Sequence, residues 1–583
     1  MGGATAERGT GTDTLAAMAL EAIDRYDGAA LKYKQDDDWT ELSYEDLGIA
    51  AREIAGGLIE LGIEPGDRVA ILSETRAEWT LADLGAILAG AVVVPIYQTA
   101  SAEEAEHVLK DSESKLVFCE DGEKLETARE AAEGLDIEHF VLFEGDDDKT
   151  VSLDDLRERG DGKGDAVKER AEGVSPDDTF TLVYTSGTTG APKGCVLTHA
   201  NFRKNLEMLE SAVEFGDEVV LFIFLPLAHV LSRMAQMLTL DVGGTLAFWG
   251  RDKEKAMDEM REVEPTHFPA VPRIFEKIYE EAQKSASGAI KEKLFDKAVD
   301  VGREVRELER QGEEPGPILK KEYELADKQV LSKVRELFGG RLEFALTGAA
   351  PVAKEMLEFF DACGVLILEG YGATETSAVT AANRPDDFRF GTVGKAVDGA
   401  EIKIADDTDD DGNGEILVKG PHVFKGYHGL KEETDEAFDG DWFKTGDLGQ
   451  LDDDGFLTIS GRAKEIIVTS SGKNITPTNI EERIEASDDV EQAVVFGDDR
   501  PYLVALVVPK NGDGDGARDK IEKAIDSANS DLAKIEQVKK FAVLDRELSQ
   551  DEGELTPTMK VKREKVYENF SEEIDELYDG DDD

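Results

Sequence analysis

Short apolar runs alternate with helical apolar spacing through the first part of this chain. Val69-Ala-Ile-Leu72 is an apolar run of strand type. From Ala77 to Leu88 the positions Leu81, Leu84 and Leu88 fall on one helical face. Val92-Val-Val-Pro-Ile96 follows as a strand, and Ser101-Ala-Glu-Glu104 has the form of a capping box opening another helix. Lys115-Leu-Val-Phe118 and Phe140-Val-Leu-Phe143 continue the rhythm. Such alternation predicts a parallel sheet in α/β layers. Glu276 to Leu337 is long, charged and helical, interrupted at Gly312 to Pro317, and reads as a surface helical hairpin without chemistry.

The pattern changes after Gly394. Glu401-Ile-Lys-Ile404, Gly414-Glu-Ile-Leu-Val418 and Gly455-Phe-Leu-Thr-Ile459 are short strands separated by Gly/Asp turns, which predicts a small β subdomain. From Gly461 a separate α+β unit begins, with strands at Glu465–Val468, Ala493–Phe496 and Leu503–Val508 and a helix near Asp519 to Leu532. The expected fold class is α/β. A large N-terminal domain (1–461) of αβ-layered subdomains plus a β subdomain precedes a small mobile α+β domain (462–578). The boundary falls at Gly461 to Lys464, and an acidic tail at 579–583 is expected to be disordered.

Charge alters the picture more than apolar content does. Asp and Glu number 128 against 66 Lys and Arg, a formal charge of −62. In dilute buffer that charge strains a compact state, and at molar salt a Debye length of about 3 Å screens it. The acidity is spread along the chain, so it reads as a halophile's solvated surface rather than a local recognition tail. Nucleic acid is excluded as a partner, because phosphate binding needs concentrated positive charge. Cys119, Cys195 and Cys363 have no metal-like or disulfide-like spacing and suit a reducing cytosol as small buried residues. No apolar stretch reaches the ~18 residues of a membrane span, and no basic-then-apolar signal opens the chain. The expectation is a cytoplasmic protein, with transient membrane contact open to it if its product is apolar.

Thr185-Ser-Gly-Thr-Thr-Gly-Ala-Pro-Lys-Gly194 packs hydroxyls, glycines and one lysine behind the strand-like Phe180-Thr-Leu-Val-Tyr184. Backbone N–H groups in such a loop form a nest for phosphate oxygens, and Lys193 adds a point charge. The competing reading is a flexible linker; the strand before it and the lysine favour phosphate. It is not a P-loop, since no Gly-Lys-Ser/Thr triplet closes it. Farther on, Lys560-Val-Lys-Arg563 is a basic island in an acidic chain, readable as a solvated turn or as a functional cation. His229, inside the apolar run Leu225-Pro-Leu-Ala-His-Val230, reads by itself as a satisfied core histidine.

The glycine-rich loop resembles the phosphate loop of the adenylate-forming superfamily: acyl-CoA synthetases, luciferases and peptide-synthetase adenylation domains. Tyr371-Gly-Ala-Thr-Glu-Thr376, Trp442-Phe-Lys-Thr-Gly-Asp-Leu448, Gly461-Arg-Ala-Lys-Glu-Ile466 and Leu555-Thr-Pro-Thr-Met-Lys560 occur in the family's order and approximate spacing. The resemblance runs from about Leu42 to Arg563. Val271-Pro-Arg-Ile-Phe-Glu-Lys-Ile-Tyr279 is most similar to the long-chain fatty-acid–CoA ligases.

The resemblance implies ATP-dependent activation of a medium- or long-chain fatty acid to an acyl-adenylate, then transfer to coenzyme A with release of AMP and pyrophosphate. Thr185 and Glu375 help hold Mg²⁺, and Thr374 donates to the α-phosphate. ATP is further bound by Ser186, Gly187, Thr188, Thr189, Gly190 and Lys193. Small residues at Gly348, Ala349, Ala350, Gly370, Gly372 and Ala373 let adenine slide against Tyr371. Asp447 accepts the ribose hydroxyls, Arg462 adds a ribose or phosphate contact, and His229 helps place the substrate. Lys560 bridges the carboxylate and α-phosphate during adenylation. Lys464 is the hinge, and a loop with Gly472 and Lys473 lines the coenzyme A tunnel. Alternatives are the same chemistry on an aryl or other acid, or a non-catalytic nucleotide or acyl binder.

Overall fold

The computed structural model describes residues 9–578 except 36, 186–190, 214, 217, 286–288, 351, 409–411, 471–472, 488, 511–515, 531, 551 and 557–559. The acidic tail therefore lies outside the described residues. Contacts divide the chain into two compact units, residues 1–401 with 418–443, and residues 402–417 with 444–583. The expected boundary at Gly461 to Lys464 lies inside the second of these.

The first unit is built on two sheets, and both owe their layers to strand alternation. One sheet runs Gly426–Tyr427, Lys193–Thr198, Thr179–Thr185, Val92–Ile96, Arg68–Leu72, Leu116–Cys119, His139–Leu142, Val151–Ser152. It is parallel except at the end that carries the glycine-rich loop, where Lys193–Thr198 turns antiparallel to Thr179–Thr185. Side chains of successive residues leave opposite faces of a strand. Accordingly Val69, Ile71 and Val93 enter one core, while Ala70, Leu72, Val92 and Val94 enter another. The second sheet centres on Val220–Ile223, His267–Ala270, Phe344–Thr347 and Ile367–Tyr371. Its Leu221 and Ile223 share the first sheet's core, and Val220, Phe222 and Phe268 face a third cluster.

The helix expected over Ala77–Leu88 has those limits, and Ser101 and Glu104 form the expected reciprocal cap. The charged helical stretch departs from a surface hairpin. It forms helices Pro272–Ser285, Ala289–Arg310 and Pro317–Ala326, then a π-turn at Asp327–Leu331. Phe275, Ile278, Phe295 and Val299 bury one face against Phe359 and Phe360. Charges on the other face hide this apolar stripe from a reading of composition.

In the second unit a sheet of Val490–Phe496, Leu503–Pro509 and Val538–Val543 is covered on both faces. Val495, Ala505 and Val507 meet Ile480, Ile484, Ile521 and Ile525 on one face. Val494, Phe496, Val504 and Leu506 meet Val566, Phe570 and Ile574 on the other. The expected strand over Glu465–Val468 is reduced to Ile467–Val468, because Ala463–Glu465 winds into a 3₁₀ turn.

Candidate functional site

The strand Thr179–Thr185 delivers Thr185 to the loop, and the antiparallel return pairs it directly with Lys193. The rest of the ladder fixes both ends. Tyr184 donates to Asp111 Oδ2 at 2.7 Å, and His107 Nε2 lies 2.7 Å from the Pro192 carbonyl. Ser186, Gly187, Thr188, Thr189 and Gly190 lie outside the described residues, so the structure places only the two shoulders of this loop.

Glu375 arrives from the other sheet. Strand Ile367–Tyr371 ends, and Thr374–Thr376 closes a single 3₁₀ turn. Gly372 is required there: a Cβ would stand 1.8 Å from the Ala378 carbonyl oxygen. The Ala373 N–H donates to Thr376 Oγ1 at 2.9 Å and braces the turn beside Thr374.

Two side chains absent from the sequence-based site join these pieces. Tyr427 donates its hydroxyl to Glu375 Oε1 at 2.9 Å, and Lys193 Nζ sits 5.1 Å from the centre of the Tyr427 ring. The Cys195 thiol, fully buried, lies opposite Tyr427 in the strand register and feels the Glu375 charge. Burial first, then Glu375, pushes that thiol well above its usual range, so it stays protonated as a donor. Thr185 and Glu375, far apart in sequence, are thus linked through Lys193 and Tyr427. Neither helper carries a sequence signal; the one available hint is that Cys195 follows Lys193 by two, on the same face of a strand.

The small-residue turns are also adjacent. Phe344–Thr347 and Ile367–Tyr371 pair in parallel, and a Cβ on Gly348 would lie 3.0 Å from the Gly370 carbonyl. Ala349 takes φ of 71°, a left-handed backbone unusual for alanine and of a kind that gathers at ligand sites. Ala349 and Ala350 are exposed, and Tyr371 is half-buried. His229 caps helix Val230–Asp241, its Nδ1 accepting the Leu231 N–H at 3.2 Å. In a neutral ring that leaves the proton on Nε2. Thr75 fixes the loop before it, donating to the Leu225 carbonyl at 2.7 Å and accepting the Leu227 N–H at 3.0 Å.

In the second unit Asp447 and Arg462 face each other across antiparallel strands, Arg462 Nε donating to Asp447 Oδ1 at 2.7 Å. Lys464 is exposed on the 3₁₀ turn, and Lys473 is exposed where its carbonyl accepts the Thr469 N–H at 3.0 Å. Gly472 lies outside the described residues. The basic island divides by role. Arg563 is bound to Glu481 by two hydrogen bonds, 2.6 and 3.0 Å, and also donates to the Val495 carbonyl. Lys560 instead is exposed, its carbonyl accepting the Thr556 N–H (2.8 Å) and its own N–H donating to Thr556 Oγ1 (2.9 Å).

A hydroxyl- and lysine-bearing loop on a parallel sheet, with a carboxylate brought beside it from a second sheet, defines a nucleotide-using α/β enzyme of the adenylate-forming class. The chain belongs to the AMP-binding enzyme family: residues 21–428 match that family, and residues 464–582 match the AMP-binding enzyme C-terminal domain. It is 38% identical over 594 residues to a long-chain-fatty-acid–CoA ligase, FadD15, of Mycobacterium bovis, covering 97% of each chain. Identity to the long-chain-fatty-acid–CoA ligase ACSBG2 of Xenopus laevis is 32%, over 97% of this chain and 84% of that one. Among solved structures, ATP-bound MatB from Rhodopseudomonas palustris superposes with a TM-score of 0.71 at 25% identity, over 96% of this chain and 99% of that one. The adenylation domain of a carboxylate reductase from Mycobacterium chelonae shares the fold, with a TM-score of 0.79 at 24% identity over 97% and 91% of the two chains. Among the described residues no helix is long and apolar enough to cross a membrane.

Proposed function

We propose that this enzyme joins a long-chain fatty acid to coenzyme A through an acyl-adenylate. The observation that carries the substrate class is the end-to-end likeness, 97% of both chains, to a long-chain-fatty-acid–CoA ligase. In the first half-reaction a carboxylate oxygen bonds to the α-phosphorus of ATP and the bond to pyrophosphate breaks. In the second the coenzyme A sulfur bonds to the acyl carbon, AMP leaves, and the thiol proton passes to solvent.

The residues divide these tasks. Lys193, Thr374 and the loop 185–190 hold phosphate oxygens, and the turns at Gly348–Ala350 and Gly370–Ala373 with Tyr371 hold adenine. Asp447 accepts the ribose hydroxyls with Arg462 beside it. His229 places the acid. Lys560 neutralises the two repelling anions in the first half-reaction only, while Lys464 and Lys473 serve the second. Thr185 and Glu375 offer a hydroxyl and a carboxylate, both hard oxygen donors, brought together through Lys193 and Tyr427. That set suits Mg²⁺, which takes few protein ligands and keeps phosphate and water as the rest. Bound there, Mg²⁺ would neutralise developing phosphate charge.

The test is product analysis with a panel of fatty and aryl acids in molar KCl. AMP and pyrophosphate formed with long-chain acids, and lost on chelating the metal, are expected. ADP with inorganic phosphate would overturn the chemistry, and a preference for aryl acids the substrate class. Lys560→Ala should depress acid-dependent pyrophosphate exchange by about a thousandfold, as removal of a charge-stabilising group does. The same variant should still make thioester from supplied acyl-adenylate; equal loss of both steps would remove Lys560 from its assigned role.

A further inference from the structure

Tyr427 occupies an unusual position for a residue outside every motif. Its two-residue strand, Gly426–Tyr427, adds to the edge of Lys193–Thr198 and sets Tyr427 opposite Cys195. The Lys425 N–H donates to the Val196 carbonyl at 3.0 Å, the His428 N–H to the Gly194 carbonyl at 2.8 Å, and the Tyr427 N–H to Thr434 Oγ1 at 2.9 Å. Gly426 permits the bend, with φ of 135° and a Cβ site only 2.5 Å from Thr434 Cγ2. The ring then packs 4.9 Å from Phe424, whose own N–H donates to the Glu375 carbonyl at 2.7 Å. Main chain and side chain of Glu375 are therefore both held from this one segment.

We propose that Tyr427 is a positioning residue: its hydroxyl orients the Glu375 carboxylate and its ring seats Lys193, setting the phosphate cation and the metal-binding carboxylate relative to each other. The inference rests on the reading of Glu375 given above. A cation over an aromatic face is stabilised without neutralising it, which leaves Lys193 its full charge for phosphate. A tyrosine that merely filled space would need neither contact.

The two contacts separate by substitution in the full-length chain. Tyr427→Phe keeps the ring under Lys193 and deletes only the hydroxyl, and Tyr427→Leu deletes both. ATP binding is measured calorimetrically, without metal and across a Mg²⁺ titration, in molar KCl; thermal unfolding reports integrity. Tyr427→Phe should leave metal-free ATP binding and the fatty-acid KM unchanged, and raise the Mg²⁺ midpoint about tenfold, the worth of a hydrogen bond to a charged group. Tyr427→Leu should weaken metal-free ATP binding as well. Glu375→Gln is the reference. If it shifts the midpoint while a folded Tyr427→Phe does not, the inference is overturned and the reading of Glu375 stands. If Glu375→Gln also leaves the midpoint in place, the reading of that carboxylate falls and takes the inference with it. Should Tyr427→Phe unfold, an unaltered midpoint in folded Tyr427→Leu overturns it equally.

Discussion

Arg462 holds the Asp447 carboxylate through Nε at 2.7 Å, and the Asp447 side chain is 11% exposed against 45% for Arg462. A carboxylate fixed this way accepts two ligand hydroxyls without paying again to be ordered. Asp447→Asn keeps the shape, loses the charge and replaces one acceptor oxygen by a donor. The expected result is an ATP KM raised about tenfold or more, with the fatty-acid KM unchanged. An ATP KM like that of the parent enzyme would take Asp447 out of the ribose site. Asp447, Glu375, Thr185 and Lys560 were singled out in the sequence through their resemblance to the family's motifs, helped by the glycine and hydroxyl run at Thr185 and the basic island at Lys560. Cys195 and Tyr427 were not. Their roles come from strand register and from a contact between positions 375 and 427, which no local pattern encodes.

At the scale of elements, the turn bearing Lys560 depends on a buried carboxylate. Glu554 is completely buried, and Arg546 grips it with two hydrogen bonds of 2.7 and 2.5 Å. The Ser549 N–H and Asn569 add 3.0 and 2.9 Å bonds. Burial acts to raise the Glu554 carboxyl, but Arg546 and these donors outweigh it and hold the group at about 2. The Lys562 N–H then donates to the Glu554 carbonyl at 2.7 Å, and Leu555 bridges Val561, so the turn stands on this ion pair. Arg546→Ala leaves the buried charge uncompensated and should destabilise the second unit by about 3 kcal/mol. Adenylation should fall with it, while nucleotide binding by the first unit's residues persists. Unchanged unfolding would show that the pair is not what holds the turn. The sequence reading found strands Val490–Phe496 and Leu503–Pro509 and helix Ala517–Ser530, since alternation and 3.6-residue spacing are local, but not strand Val538–Val543 or helices Pro477–Glu485, Arg563–Asn569 and Ser571–Tyr578. It missed that Arg563 in the same basic island is bound to Glu481, because the partner lies 82 positions away.

Over the whole molecule, a charge of −62 should make stability rise steeply with KCl up to about 1 M, where screening is nearly complete. Melting temperatures independent of KCl would contradict a brine-adapted surface. Salt must then be held constant to expose a second, opposite-signed sensitivity. His199, His267 and His422 are buried, and burial lowers each to about 4 from the ordinary 6.5. His199 Nδ1 already accepts the Leu15 N–H at 3.2 Å, so protonation there would set two donors against each other. The folded state therefore binds fewer protons than the unfolded chain between those two values. Neutral histidine contributes stability that is fully present above about 6.5 and is lost as pH falls toward 4. Each group removes about 1.4 kcal/mol per pH unit within that window, and about 3 kcal/mol in total. Unfolding measured by denaturant from pH 7.5 to 4.5 in fixed molar KCl should show this loss. His199→Gln should flatten the slope by one proton's worth. A slope untouched by the substitution would mean that His199 titrates normally in the native state, and that the acid sensitivity has another origin.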